Sequence, residues 1–234
     1  MRHLLLVFTN PLDGRHDDLN AWYTNVHIRD VMRMPASIGV QRFILADDQP
    51  AGRPASKFQY LAMYETDDTV RCTAAHAVAM TPKLPISDAF DLTSPCNYFR
   101  VRSFVTADPM ATGDGHIVVA EFADPSSFDP GAAARLVGHS GVLSITHLGV
   151  MGDQLVPRDP PLPELALLRL TGDGVKLGAL DISAVVRNAA IVSHYRPLIR
   201  RLTAAGVLNP TAEEQAIEDR SRAALGEKVH RLPG

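Results

Sequence analysis

The sequence predicts an α+β chain made of two tandem β-α-β-β-α-β units. Three observations carry this. Apolar runs of strand length and helical patterns follow one another in that order over residues 4–105. The same order returns over residues 116–199. Between the two lies "TADPMATGDG" (106–115), a break in composition rich in small residues, Pro and Gly that reads as a linker.

The elements follow in order. "LLLVF" (4–8) is a short apolar run stopped by Asn10-Pro11 and Asp13-Gly14, which makes it a buried strand and a turn. No Gly or Pro interrupts the chain from Arg15 to Met34. There Leu19, Trp22, Tyr23, Val26 and Asp30 recur at helical spacing, so the segment is a helix ended by Pro35. "SIGVQRFIL" (37–45) alternates as a strand does. "DDQPAGRPAS" (47–56) is a loop, and "FQYLAMYE" (58–65) is the third strand. "DDTVRCTAAHAVAM" (67–80) is a second helix ended by Pro82, and "NYFRVRSFV" (97–105) is the fourth strand.

After the linker, "HIVVAEFA" (116–123) takes the place of the first strand and "DPGAAARLVG" (129–138) is a shorter helix. "VLSITHLGV" (142–150) and "ELALLRL" (164–170) match the second and third strands. "VKLGALDISAVVRN" (175–188) is the second helix of the unit, and "IVSHYRPLI" (191–199) is its last strand. The units are therefore 1–105 and 116–202, each ferredoxin-like in order. Residues 203–234, with helix formers and mixed charges, form a helical extension, exposed or packed on a partner.

Composition narrows the function. The 234 residues are 46% hydrophobic and 21% charged, as in ordinary globular chains. A net charge of −3 lacks the basic stripe that neutralises phosphates, so no nucleic-acid partner is expected. Two cysteines, Cys72 and Cys96, form no CxxC pair and no disulfide framework. No apolar run reaches a membrane span or a signal-peptide core, so a cytoplasmic protein without membrane contact is expected. No dinucleotide fingerprint, phosphate-binding loop or nucleophile elbow occurs. His139, His147 and His194 show no metal-ligand spacing, so no metal is expected.

The stretch "FTNPLDGRHDDLNAWYTNVHIRDVMRMPASIGVQRF" resembles the EthD-like branch of the dimeric α/β barrel superfamily. It carries a W-Y-x-x-x-H-x-x-D core at Trp22, Tyr23, His27 and Asp30, and a Q-R-F triplet at Gln41, Arg42 and Phe43. Arg29 stands where the pattern has Pro between His and Asp. The resemblance is good over residues 4–65 and loose over 66–105. It implies that the two repeats close an α/β barrel, since one sheet alone would leave an apolar face exposed. It also implies a homodimer, although two repeats in one chain suffice to close a barrel. Reactions in the superfamily vary too widely for the fold to select one.

The candidate site lies on the first helix. Tyr23, His27 and Asp30 at i, i+4 and i+7 share a face. A histidine there is expected to act as a general acid or base, with Asp30 orienting it and Tyr23 donating to a developing oxyanion. Asn10, Trp22, Gln41, Phe43 and Tyr60 are expected to contact substrate. The competing reading makes His27 a satisfied core histidine, with Trp22 and Tyr23 as filler.

The expected function is a cofactor-independent isomerase, dehydratase or other lyase acting on a small apolar, aromatic or cyclic metabolite. The alternatives are a non-catalytic small-molecule-binding protein using the same pocket, or a haem-using oxidoreductase.

Overall fold

The computed structural model describes residues 3–72, 74, 84–104, 115–137, 141–152, 155–157, 159–171, 181–226 and 228–230. The linker expected at 106–115 falls almost wholly outside them. So does most of the helix at 67–80 and the first part of the helix at 175–188.

The first half contains β1 (His3–Thr9), β2 (Ser37–Leu45), β3 (Tyr60–Thr66) and β4 (Cys96–Phe104). Between β1 and β2 run α1 (His16–Trp22), a π-helical turn (Tyr23–His27) and α2 (Ile28–Met32). The second half contains β5 (Ile117–Phe122), α3 (Pro130–Leu136), β6 (Val142–Val150), β7 (Glu164–Leu170), α4 (Ser183–Val186) and β8 (Ile191–Pro197). A two-residue β9 (Leu202–Thr203), α5 (Ala204–Leu208) and α6 (Ala212–Leu225) complete the chain. Local chemistry sets the helix starts. Asp129 caps α3 through the Gly131 and Ala132 amides, with Pro130 in its first turn. Thr211 and Glu214 form a capping box on α6.

Eight strands close an antiparallel barrel in the order β3-β1-β4-β6-β7-β5-β8-β2, with β2 returning to β3. The first half thus runs β2-β3-β1-β4 and the second β6-β7-β5-β8, the same ferredoxin-like order. The halves meet at two seams. At one, β4 pairs with β6 from Phe99↔Val150 to Phe104↔Thr146. At the other, β8 pairs with β2 over Phe43↔Pro197 to Leu45↔Tyr195. Closure removes every open edge of the eight strands within one chain.

Alternation along the strands splits the core into layers. Leu4, Leu6 and Phe8 point into the barrel beside Phe43, Leu61 and Met63. Leu5 and Val7, one residue out of phase, face α1 on the outside. In the second half Val118, Ala120 and Phe122 face α3 and α4. Each such fully buried Leu or Phe contributes about 1.5–3 kcal/mol.

An ion pair bolts each half to the other. Arg201, from the second half, donates to Glu65 on β3 at 2.6 Å. Arg102 on β4 reaches Glu164 on β7 at 2.7 Å. Glycine makes room for both. A Cβ at Gly39 would lie 2.7 Å from Arg201, and one at Gly149 would lie 2.2 Å from Arg102. Any side chain at either position would displace the cation from its glutamate.

The C-terminal extension is exposed on one side and packs on the chain's own first half with the other. Helix α6 lies on the π turn and α1. Asn25 donates to Ser221 at 3.1 Å, and Arg33 grips the buried Glu218 carboxylate through both terminal nitrogens at 2.7 and 2.9 Å. Mixed charge on α6 therefore marks an internal seam.

Candidate functional site

Between the outer face of the first-half sheet and its helical cover lies a cavity of about 280 Å³. The sheet supplies Leu5 and Val7 from β1, Tyr64 from β3 and Cys96 from β4. The helical segment supplies Trp22, Tyr23 and His27. The loop that leads into β4 adds Ile86, Phe90, Leu92 and Ser94. Leu155 and Val156, held beside Cys96 by a β-bridge, complete the wall.

The π turn makes this wall. It spans Tyr23 to His27 and adds an extra residue to one helical turn. Tyr23 and His27 stay in contact, ring centroids 4.8 Å apart and edge-on, and His27 also lies against Trp22 at 4.7 Å. Trp22 is fixed by its indole N–H, which donates to Pro85 O at 2.9 Å. The loop opposite is held from the far end of the chain. The His230 amide donates to Ile86 O at 2.8 Å, and His230 Nε2 donates to Phe90 O at 2.7 Å.

Asp30 was expected to orient the imidazole. The Asp30 carboxylate is bound instead by Arg222 from α6 and lies 3.6 Å from Arg33. Spacing of i+7 puts residues on one face only while the helix keeps its ordinary pitch.

The remaining expected contacts separate as well. Asn10 tethers the turn after β1 by donating to Lys57 O at 2.9 Å and accepting from Gln59 N at 2.7 Å. Gln41 and Phe43 do share a strand face, but it is the barrel interior. Gln41 meets Arg169 and Ile199 O there at 3.5 Å, and Phe43 belongs to the interior core. Tyr60 faces the helix but sits in a polar chain beside the cavity, its hydroxyl hydrogen-bonded to His16 at 3.0 Å and Asn20 at 2.9 Å. Of the eight residues expected at the site, the structure brings Trp22, Tyr23 and His27 to the cavity.

The lining is electrically quiet. Burial raises the Tyr23 and Tyr64 hydroxyls above the ordinary phenol range and pushes the Cys96 thiol up to about 12. These three groups are therefore neutral at physiological pH. A neutral, half-buried Cys96 is a poor nucleophile. The Tyr64 hydroxyl donates to that of Tyr23 at 3.3 Å.

Sequence reading missed Arg42 as a separate residue of interest. It stands on β2 with Val40 and Ile44, an arginine in phase with apolar neighbours, and that was its signal. It also missed the loop that walls the cavity, which carries no motif. Elsewhere, His147 pairs with Glu164 at 2.7 Å. His194 lies between Asp48, at 3.1 Å, and His116, at 2.8 Å. Among the described residues no group of His, Cys, Asp or Glu is arranged to hold a metal ion. No described helix is long and apolar enough to cross a membrane.

No protein-family model matches the chain, and no curated protein matches it. Solved structures do. A candidate monooxygenase from Fusobacterium nucleatum is 8% identical, with a TM-score of 0.48 over 86% of this chain and 95% of that one. A chlorite dismutase from Candidatus Nitrospira defluvii is 9% identical, with a TM-score of 0.46 over 94% and 95%. A dye-decolorizing protein from V. cholerae is 9% identical, with a TM-score of 0.41 over 93% and 95%. With the Asp30 carboxylate taken by Arg222, the expectation of a cofactor-independent acid–base enzyme is corrected and set aside.

Proposed function

We propose that this chain is a small-molecule-binding protein that takes a compact aromatic ligand into the cavity beneath the π turn. One observation carries the reading: a cavity of about 280 Å³ walled by aromatic and aliphatic side chains, with the His27 imidazole among them. Concave, mostly apolar sites with a few convergent polar groups are how proteins bind small ligands. Trp22, Tyr23 and Phe90 offer ring faces and edges, and His27 offers a polar anchor. Tandem duplication of a ferredoxin-like unit is supported by the matching strand orders of the two halves, and the EthD-like resemblance of the first rests on its sequence alone. The homodimer implied by that resemblance is checked by light scattering on the eluting protein.

A haem-using reading draws on the same imidazole, since a haem needs one axial histidine. The lining does not fit that group. Pockets for ligands of drug size run from roughly 300 to 1,000 Å³, and this one is smaller than a macrocycle requires.

Thermal-shift and calorimetric titration with single- and double-ring aromatics tests the proposal, with Leu92→Trp run beside the parent. Leu92 is 38% exposed at the cavity, so bulk there obstructs entry without entering the core. Binding in the parent that weakens at least tenfold in Leu92→Trp is expected. A Soret band on haem addition that disappears in His27→Ala would overturn the reading in favour of a haem protein.

A further inference from the structure

Arg42 stands directly behind the Tyr23 wall of the cavity. It is 0% exposed, and its guanidinium carbon lies 4.4 Å from the Tyr23 ring centroid and 5.5 Å from that of Tyr60. One terminal nitrogen donates to Thr24 Oγ1 at 2.6 Å and the other to Asn20 Oδ1 at 2.9 Å, both neutral acceptors. Its Nε–H meets no acceptor among the described residues, and no described carboxylate pairs with it.

This sets Arg42 apart from three other arginines that meet buried groups. Arg33 binds Glu218, Arg102 binds Glu164 and Arg201 binds Glu65, each glutamate about 1% exposed. Guanidinium stays charged in proteins, and a charge in apolar surroundings is costly until an opposite charge joins it. The two ring faces and two neutral oxygens around Arg42 offset part of that cost and leave its net charge unbalanced.

The Tyr23 side chain connects this cation to the cavity. Its ring lies against Arg42, and it also lines the cavity with Tyr64. Because the Tyr23 and Tyr64 hydroxyls share one hydrogen bond, one hydroxyl hydrogen of the pair is left for another acceptor. The field of Arg42 favours negative charge at both hydroxyls and opposes the rise in pKa that burial imposes on them.

We propose that the ligand of this cavity is a compact aromatic carboxylate, its ring among Trp22, Tyr23 and Phe90 and its charge balancing Arg42 through the tyrosine pair. This rests on the small-molecule reading above and names its ligand class.

The test is calorimetric titration of the full chain with ligand pairs matched in size, benzoate against benzamide and 2-naphthoate against 2-naphthamide. The carboxylates are expected to bind at least tenfold more tightly. Arg42→Met removes that preference while holding amide affinity within about threefold, and Arg42→Lys restores part of it. Tyr23→Phe, which keeps the ring, weakens the carboxylate by about tenfold and the amide little. It decides the matter should Arg42→Met fail to fold. Equal binding of both members of each pair, or a preference untouched by Arg42→Met and Tyr23→Phe, overturns the charge assignment and leaves the cavity reading intact. Binding of neither class overturns both.

Discussion

The two halves of the barrel share a strand order and differ in what covers them. In the second half the cover is small: Ala132 and Ala133 of α3 and Val185 and Val186 of α4 close directly on Val118, Ala120, Ile145 and Leu168. In the first half the corresponding layer carries Trp22 and Tyr23, with Arg42 beneath them. Small side chains let a helix settle onto a sheet at full packing density. Large rings hold it away, and the gaps between them become usable space. One sheet pattern therefore supports a tight structural layer on one side and a cavity on the other, and the helix sequence makes the difference.

Four substitutions break or sharpen that contrast. The largest effect is expected from Trp22→Ala, which deletes the main prop of the first layer and leaves Pro85 O without its donor. Denaturant unfolding should show a loss of about 3–5 kcal/mol, and a loss below about 1 kcal/mol would mean that the ring props nothing.

Next comes Glu218→Gln, which frees Arg33 and Arg222 from the carboxylate that binds the C-terminal helix to the first-half cover. The expected loss is about 2–3 kcal/mol at neutral pH. The Arg33 guanidinium holds the Glu218 carboxyl at about 2 against an ordinary 4.5. A depressed carboxyl stabilises the fold above its unfolded value and stops doing so as pH falls through its folded value. Parent and variant melting temperatures should therefore converge between pH 4.5 and 2. A constant gap over that window would assign the variant's defect to something other than charge.

Ala133→Leu adds bulk to the tight layer of the second half, where Ala133 is 0% exposed. Overpacking should lower stability by about 1–3 kcal/mol. The smallest effect is expected from Val7→Leu, which adds one carbon on the cavity side of β1. The cavity takes it up, so stability should change by less than about 0.5 kcal/mol, while affinity for the larger of two aromatic ligands falls more than for the smaller. If the two additions cost the same, the halves are packed alike and the contrast fails.

Much of the architecture was legible in the sequence. "SIGVQRFIL", "VLSITHLGV" and "ELALLRL" are strands over the residues expected, because alternation is a property of neighbours and needs no partner to be seen. Trp22, Tyr23 and His27 were legible at the cavity because they follow one another on a single helical turn. The rest was not, for reasons that can be named. Asp30 was assigned to His27 by spacing, yet its partner Arg222 lies 192 positions away. The π turn leaves no mark in residue type. Gln41 and Phe43 were placed correctly on one strand face, but which face looks inward depends on barrel closure.

What the sequence by itself determined is the alternation of elements, the place of each strand and the aromatic character of one helix. These rest on hydrogen bonds and side-chain spacing within a few residues. Tertiary structure alone decided that eight strands close within one chain, that Glu218 and Arg222 fold back to claim Arg33 and Asp30, and that Arg42 is buried behind Tyr23 with no described carboxylate to meet it. Charges are matched by whatever the fold brings within a few ångströms, and sequence distance carries no record of that.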